Sequence, residues 1–360
     1  MATKFRRIGV LTSGGDAPGM NAAVRAVTRA ALDKGVEVMG IYEGYKGLVH
    51  PNLRKFTARD VSNIVSRGGT TLLSDRCLEF KEEEGMQKAI KTCKDNQIDG
   101  IIAIGGDGTF RGATDLSVRG IPTIGIPATI DNDITSTEYS IGFDTAVNTA
   151  VELIDKLRDT CESHARCNVV EIMGRNAGWV ALEAGIATGA SAIVINEVAF
   201  DEEKVINEII EAKKSGKRNF IVCIAEGVPA VLGDKLYSEN FAKRFEEKTG
   251  IETKFVRPAH ILRGGNPTMR DRLLATQLGS EAVKLLLDGQ SDLVVGVRDD
   301  KIVSTEIGYA LKLDRMYKGT LKDGDLDKYT NVQVAEMKIY CEKRNADLRA
   351  LYEMAYEMAH

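Results

Sequence analysis

Nothing in this chain of 360 residues points to a membrane, a nucleic acid or an oxidising compartment. No apolar stretch approaches the roughly 20 residues of a bilayer span. The first residues, Met1-Ala2-Thr3-Lys4-Phe5-Arg6-Arg7, lack the apolar core of a secretion signal, so a cytoplasmic protein is expected. The 48 Lys and Arg stand against 52 Asp and Glu, a net charge of -4, and no excess of one sign offers a partner to nucleic acid or lipid headgroups. The six cysteines, Cys77, Cys93, Cys161, Cys167, Cys223 and Cys341, show no CxxC spacing. Reduced thiols are the simplest reading. No long Pro/Gly/Ser linker divides the chain, although 360 residues exceed what one core usually holds, so two domains are expected.

What the chain does have is short glycine- and carboxylate-bearing loops at the ends of apolar runs. Ile8-Gly9-Val10-Leu11 leads to Gly14-Gly15-Asp16, with Ala17-Pro18-Gly19-Met20-Asn21 behind it. Gly100-Ile101-Ile102-Ala103-Ile104 leads to Gly105-Gly106-Asp107-Gly108-Thr109. Residues 121–126 lead to Pro127-Ala128-Thr129 and Asp131-Asn132-Asp133, and Val169-Val170-Glu171-Ile172 leads to Met173-Gly174-Arg175. Near-continuous apolar runs of this length suit parallel strands covered on both faces. Between them lie helical patterns, alanine-rich over 19–33 and with apolar spacing at Val147, Val151, Ile154 and Leu157 over 144–159. A second strand set is expected over 168–173, 192–197 and 219–225, and a charged helix over 233–250. Phe255-Val256 and Leu293–Val297 are candidates to return to the first sheet. Alternation of this kind predicts doubly wound α/β layers with mainly parallel sheets, whose ligands sit beyond the carboxyl ends of the strands.

The four motifs together make a phosphoryl-transfer site. Glycine lets backbone N–H groups approach phosphate, a carboxylate holds magnesium or accepts a hydroxyl proton, and arginine offsets charge on the moving group. Singly, each motif has a plainer reading. Gly-Gly-Asp serves ordinary turns, and Asp131-Asn132-Asp133 serves as a solvated turn. Gly-Gly-Asp-Gly-Thr also occurs in NAD kinases and diacylglycerol kinases, which resemble the chain in that loop only. His260 reads as a core histidine by itself and as a ligand contact beside Arg263-Gly264-Gly265. His50 and His164 carry no argument. Glu226 ends an apolar run, where a buried unpaired carboxylate is costly, which favours a site role.

In their order and spacing, Thr12–Ala23, Gly105–Thr109, Pro127–Asp133, Met173–Arg175 and His260–Pro267 resemble the bacterial-type 6-phosphofructokinase family, from about residue 5 to 320. The resemblance implies two doubly wound domains with the active site in the cleft between them. Residues 1–137 with about 258–310 would bind nucleotide, and 138–257 with about 311–330 the sugar phosphate. It implies transfer of the γ-phosphoryl of ATP to the 1-hydroxyl of fructose 6-phosphate, with Mg²⁺. Asp131 is implied as the base, tuned by Thr129 and Asp133. Asp107 is implied at the metal, and Gly15 and Arg175 at the transferring group. Tyr45, Arg76, Gly106, Gly108 and Thr109 would line the nucleotide site. Met173, Gly174, Glu226, His260 and Arg263 would line the sugar phosphate. Arg166 and Lys254 would reach it from a neighbouring subunit, implying a homo-oligomer, tetrameric in this family. Lys254 stands where the family has arginine, with Arg257 close by in sequence.

Alternatives stay open within that resemblance. In the pyrophosphate-dependent branch an aspartate and a lysine occupy the places of Gly108 and Ala128, and the small neutral residues here favour ATP. A catalytically silent sugar-phosphate-binding subunit would keep the fold without the chemistry. Regulated members read ADP or phosphoenolpyruvate through a basic cluster that Arg25, Arg29, Arg158 and Lys217 match in part. Ser191 replaces a magnesium-binding glutamate there, and Ala58 replaces an arginine, so weak regulation is expected. Finally, residues 331–360 form a tail beyond the short bacterial members. Val334, Met337, Cys341, Leu348, Leu351, Ala355 and Met358 follow a/d spacing, interrupted by Arg344, which suits a helix docked on an apolar surface or a short coiled coil.

Overall fold

The expected strands form because their runs bury both faces. Every residue of Gly100–Gly105 and of Thr123–Pro127 is buried. The computed structural model describes residues 5–359, so the opening Met1–Lys4 read for a secretion signal lies outside it. In chain order the elements begin β1 (Arg7–Ser13), α1 (Met20–Asp33), β2 (Glu37–Ile41), α2 (Lys46–Val49), β3 (Leu53–Phe56), α3 (Glu83–Asp95), β4 (Gly100–Gly105), α4 (Asp107–Ser117) and β5 (Thr123–Pro127). They continue α5 (Phe143–His164), β6 (Cys167–Ile172), α6 (Trp179–Ala187), β7 (Ala192–Val194), α7 (Glu202–Lys214), β8 (Phe220–Ala225), α8 (Val228–Val231), α9 (Tyr237–Thr249) and β9 (Thr253–Val256). The last are α10 (Met269–Leu287), β10 (Leu293–Arg298), β11 (Lys301–Glu306), α11 (Ile307–Tyr317) and α12 (Asn331–Ala359).

The chain separates into two compact units. One holds the residues through Ile130, Ile134–Thr145 and Arg263–Cys341, and the other Asp131–Asp133, Ala146–Leu262 and the residues from Glu342 on. The first unit carries a seven-stranded sheet in the order β11-β10-β5-β4-β1-β2-β3. Its central strands are parallel, and antiparallel β3 and β11 close the edges. The second carries a parallel four-stranded sheet, β7-β8-β6-β9. β10 returns to the first sheet as expected. Phe255-Val256 does not: β9 pairs with β6, in register Val169 with Phe255.

The division differs from the one drawn from sequence, with Asp131–Asp133 and the residues just before Arg263 also falling in the second unit. The break expected at residue 137 falls in the polar stretch Ile134–Glu138, yet Thr135, Ser136 and Thr137 are 1%, 2% and 0% exposed. Their polar groups pair inside the first unit. Asp314 accepts from the Thr135 amide, the Ser136 carbonyl accepts from Arg298, and Thr137 Oγ1 accepts from the Val297 amide. The break therefore falls after Thr145. Residues 311–330 also join the first unit rather than the second, because α11 packs on α4 and on strands β10 and β11. The tail is one helix whose beginning, through Cys341, clusters with the first unit and whose remainder clusters with the second.

The tail docks as a helix, over a smaller stripe than the heptad pattern implied. Met337 and Cys341 are buried against Leu313 with Tyr309, Met316, Tyr317, Leu326, Tyr329 and Tyr340 around them, while Met358 is 81% exposed. Removing the Met337 side chain leaves a cavity in that cluster, so Met337→Ala should lower stability by about 2–5 kcal/mol. Met358→Ala, at an exposed position, should stay within about 0.5 kcal/mol of the parent. Denaturant unfolding of both variants checks the pair.

Candidate active site

In the first unit, two loops at the carboxyl ends of adjacent parallel strands meet backbone to backbone. β1 and β4 pair through Ser13 and Gly105. A Cβ on Gly105 would fall 2.3 Å from the Ser13 carbonyl oxygen, so only glycine allows this approach. Thr109 Oγ1 donates to that same carbonyl at 3.0 Å. Gly14, with φ of 87°, turns the first loop away from its strand. The Asp16 carbonyl accepts from Arg263 Nη1 at 3.2 Å, and a Cβ on Gly15 would meet that guanidinium at 2.5 Å. Gly15 thus leaves its backbone bare beside a cation.

The second loop opens α4. Gly106 precedes its first residue, Asp107, and a Cβ on Gly106 or Gly108 would meet nothing within 4 Å. Backbone N–H groups at the start of an eleven-residue helix, with open space over two glycines, suit an anion. Asp107 is partly exposed and pairs with Arg111 one turn on. Among the described residues no cluster of three metal-ligating side chains occurs. One carboxylate beside open space over two glycines fits Mg²⁺, which takes one or two protein carboxylates and completes its shell with water and phosphate oxygens.

Tyr45 lies against the second loop, largely buried. Its ring is 6% exposed and stacks on Phe80 at 4.3 Å, and its hydroxyl donates to the Thr109 carbonyl at 2.5 Å. Burial holds the phenol well above its ordinary range. It supports the loop from below and presents no surface to a ligand. Arg76 is exposed, with only its backbone N–H tied, to Asp75. Thr129 is buried, and its carbonyl accepts from Ser140 at 2.7 Å.

In the second unit, left-handed non-glycine residues occur at Asn132, Ala165, Arg175 and Ala259, two of them inside the motifs. Asn132, flanked by Asp131 and Asp133, has φ of 49°, and Arg175 has φ of 57°. Such backbone persists only where the surroundings over-determine it. The Arg175 amide donates to Glu226 Oε1 at 2.5 Å, and Glu226 stands at the end of β8 with its own amide on the Ile172 carbonyl at 2.9 Å. Asn196 donates to the Asn176 carbonyl and Glu197 accepts from the Gly178 amide, both at 2.8 Å. Glu197 is buried enough that desolvation raises its carboxyl above the usual range. The Arg175 loop is therefore held at three points, and the Arg175 side chain itself stays exposed. Met173 is buried at its start. Asp131 is 4% exposed, and the Asn132 carbonyl accepts from Arg344 Nη2 at 2.9 Å.

A separate basic patch lies on the same unit. Arg166 Nε donates to Glu252 at 2.7 Å and Lys254 pairs with that carboxylate at 3.0 Å. These two cations draw Glu252 below its ordinary range, Arg166 most. Arg257, close by in sequence, does not join them. Its fork is spent on buried Glu171, at 2.6 and 3.2 Å. His260 is exposed, which removes the core-histidine reading.

Glu252, Glu197, Asn196 and Arg344 were not picked out as site residues from sequence. Arg344 had one signal, a charge at an inward heptad position. The others had none, because each acts through a contact distant in the chain.

The phosphofructokinase family model matches residues 7–286. The ATP-dependent 6-phosphofructokinase 1 of Clostridium perfringens is 49% identical over 317 residues, 88% of this chain and 97% of that protein. An ATP-dependent 6-phosphofructokinase of Clostridium botulinum is 48% identical over 319 residues, 89% of this chain and 98% of that protein. Among solved structures, phosphofructokinase from Saccharomyces cerevisiae superposes with a TM-score of 0.82 at 32% identity, covering 90% of this chain and 48% of the yeast chain. This chain therefore spans about half the length of that larger relative. The chain belongs to the phosphofructokinase family.

The junction of the two loops gives a direct test. Gly105→Ala drives a methyl into the Ser13 carbonyl and should cost at least about 1–3 kcal/mol as the strands part. Gly108→Ala meets open space and should leave the melting temperature within a degree or two of the parent, which thermal unfolding of the two variants will show.

Proposed function

We propose that this protein is an ATP-dependent 6-phosphofructokinase, moving the γ-phosphoryl of ATP to the 1-hydroxyl of fructose 6-phosphate. The observation that carries the reading is the presence of every chemical part at strand ends, in a chain that aligns over nearly the full length of two ATP-dependent relatives. Asp131 accepts the proton of the attacking hydroxyl. Its burial strengthens its electrostatic action and keeps water from competing. The bared backbone of Gly15 and the side chain of Arg175 stabilise the charge on the transferring group. Asp107 is the residue that would hold Mg²⁺, which neutralises phosphate charge when bound. Glu226 places Arg175 through its backbone N–H, in addition to any contact with the sugar.

ATP is favoured over pyrophosphate as donor. A side chain at Gly108 would project into space that is open here, and Ala128 is small and neutral. A carboxylate and an ammonium at those two positions would fill the space and charge of the nucleotide's α-phosphate. The reading also includes a homotetramer with shared sites. Arg166, half-buried, and Lys254, exposed, form a cationic pair bridged by a single carboxylate, a pattern suited to an incoming phosphate that displaces Glu252. Lys254 supplies a point charge there and no bidentate fork.

Donor competition with purified protein is the test. Turnover with ATP-Mg should exceed that with pyrophosphate-Mg at matched concentrations, in a species of oligomeric mass. Asp131→Asn should lower kcat by about 10²–10⁴-fold with fructose 6-phosphate binding retained. Faster turnover on pyrophosphate would move the enzyme to the other branch, and a silent protein with intact sugar-phosphate binding would make it a regulatory subunit.

Regulation by ADP or phosphoenolpyruvate should be weak. Ser191 is buried and its hydroxyl has no hydrogen-bond partner. Arg158 is already engaged by its own chain, with Asn219 at 3.0 Å and the Thr188 and Gly189 carbonyls. Burial, with Arg158 adding to it, lowers the ammonium of Lys217 from its usual range, the mark of a cation with no acid beside it. Either effector at millimolar concentration should shift half-saturation by fructose 6-phosphate less than about fivefold, the lower edge of ordinary allosteric coupling.

A further inference from the structure

Arg344 stands at a place where an arginine is expensive. On α12 the residues Met337, Cys341, Arg344 and Leu348 repeat at three- and four-residue spacing, and all four are buried, at 0%, 7%, 8% and 1% exposure. The position suits an apolar side chain, and a guanidinium taken out of water there needs compensating partners. It has two. Nη2 donates to the Asn132 carbonyl at 2.9 Å, and the guanidinium lies 5.4 Å from the ring centroid of Trp179. Both belong to site-bearing segments. Asn132 is the middle residue of Asp131-Asn132-Asp133 and holds φ of 49°. Trp179 is the first residue of α6, directly after the loop Met173–Gly178 that carries Arg175.

We infer that Arg344 is a positioning residue for phosphoryl transfer, holding the Asp131-Asn132-Asp133 turn in its left-handed conformation from the C-terminal helix. A charge-assisted bond to the Asn132 carbonyl fixes the Asn132–Asp133 peptide and, through it, the left-handed turn that directly follows Asp131. Contact with the Trp179 face ties that guanidinium to the start of the helix behind the arginine loop. The helix lies beyond the family-matched residues 7–286, so in this chain a core motif is steadied by a segment outside the shared region. A tail whose only role was to cover apolar surface would place an apolar residue at 344.

The inference rests on the phosphofructokinase reading for its activity readout, and the test separates the two. Steady-state kinetics on ATP and fructose 6-phosphate in the unaltered enzyme tests the reading itself. Relative to that, Arg344→Ala should lower kcat by about 10–100-fold, since a displacement on the order of 1 Å at a reacting group can cost about 10²-fold. Both KM values should change less than about twofold, because the substrate-binding side chains are untouched. Added guanidinium ion should restore part of the lost kcat in Arg344→Ala and do nothing for Arg349→Ala, an exposed control on the same helix. Arg344→Lys should fall between parent and alanine, and it carries the kinetic test if the alanine variant does not fold. Independently of any activity, amide hydrogen exchange over residues 130–134 should quicken in the Arg344 variants and stay at the parent rate in Arg349→Ala. Unchanged exchange there, or a loss of kcat that tracks melting temperature and resists guanidinium, would overturn the assignment.

Discussion

The first unit depends on one close approach, the backbone of Gly105 against the carbonyl of Ser13. Parallel strands β1 and β4 bring their carboxyl ends side by side, and the chain must leave both strands there without separating them. A glycine at 105 permits it, and Thr109 then satisfies the exposed carbonyl. Tyr45 in turn satisfies the carbonyl of Thr109 from beneath. The Ser13 and Thr109 carbonyls, freed at the end of the sheet, are thus each taken up by the next side chain in the series.

The interior of this protein also uses polar groups as fasteners. Asp271, fully buried, accepts from the Gly142 and Thr145 amides at 2.9 Å each and from the Thr145 hydroxyl at 2.5 Å. It thereby caps the start of α5. Burial raises its carboxyl above the usual range, and the three donors oppose that shift, Thr145 Oγ1 most. Thr135, Ser136 and Thr137 hold the chain against β10 and α11 in the same way, as does Asp325, clamped by Lys312 and Arg315. Such groups cost desolvation and return directionality, which apolar packing lacks.

Directionality matters most at two of the left-handed turns of the second unit, those of Asn132 and Arg175. Asn132 and Arg175 both adopt backbone that side chains rarely favour, and each is met by an ionic partner on its backbone: a guanidinium at the Asn132 carbonyl and a carboxylate at the Arg175 amide. The two arrangements mirror each other in sign. In both, the charge acts on the peptide and not on the side chain of the turn residue. The cysteines contribute nothing comparable. All six are free, and burial pushes the thiols of Cys93 and Cys223 up to about 12, which leaves them inert packing groups.

The sequence by itself determined the strand runs, the alternation with helices and the motif residues, since these are written in local terms. Apolar length separates a buried strand from its neighbours, and a glycine–aspartate loop is legible without knowing what faces it. The tertiary structure alone decided which polar residues were linker and which were interior. Thr135–Thr137 read as a boundary because polarity was the only cue, and their partners Asp314 and Val297 lie more than 150 residues away. The same limit explains β9, whose apolar pair is too short to name its sheet, and Arg257, whose carboxylate partner is 86 residues distant. It explains Arg344 too. As a letter it was a break in a heptad, and only the folded chain shows the carbonyl 212 residues earlier that gives the charge its reason.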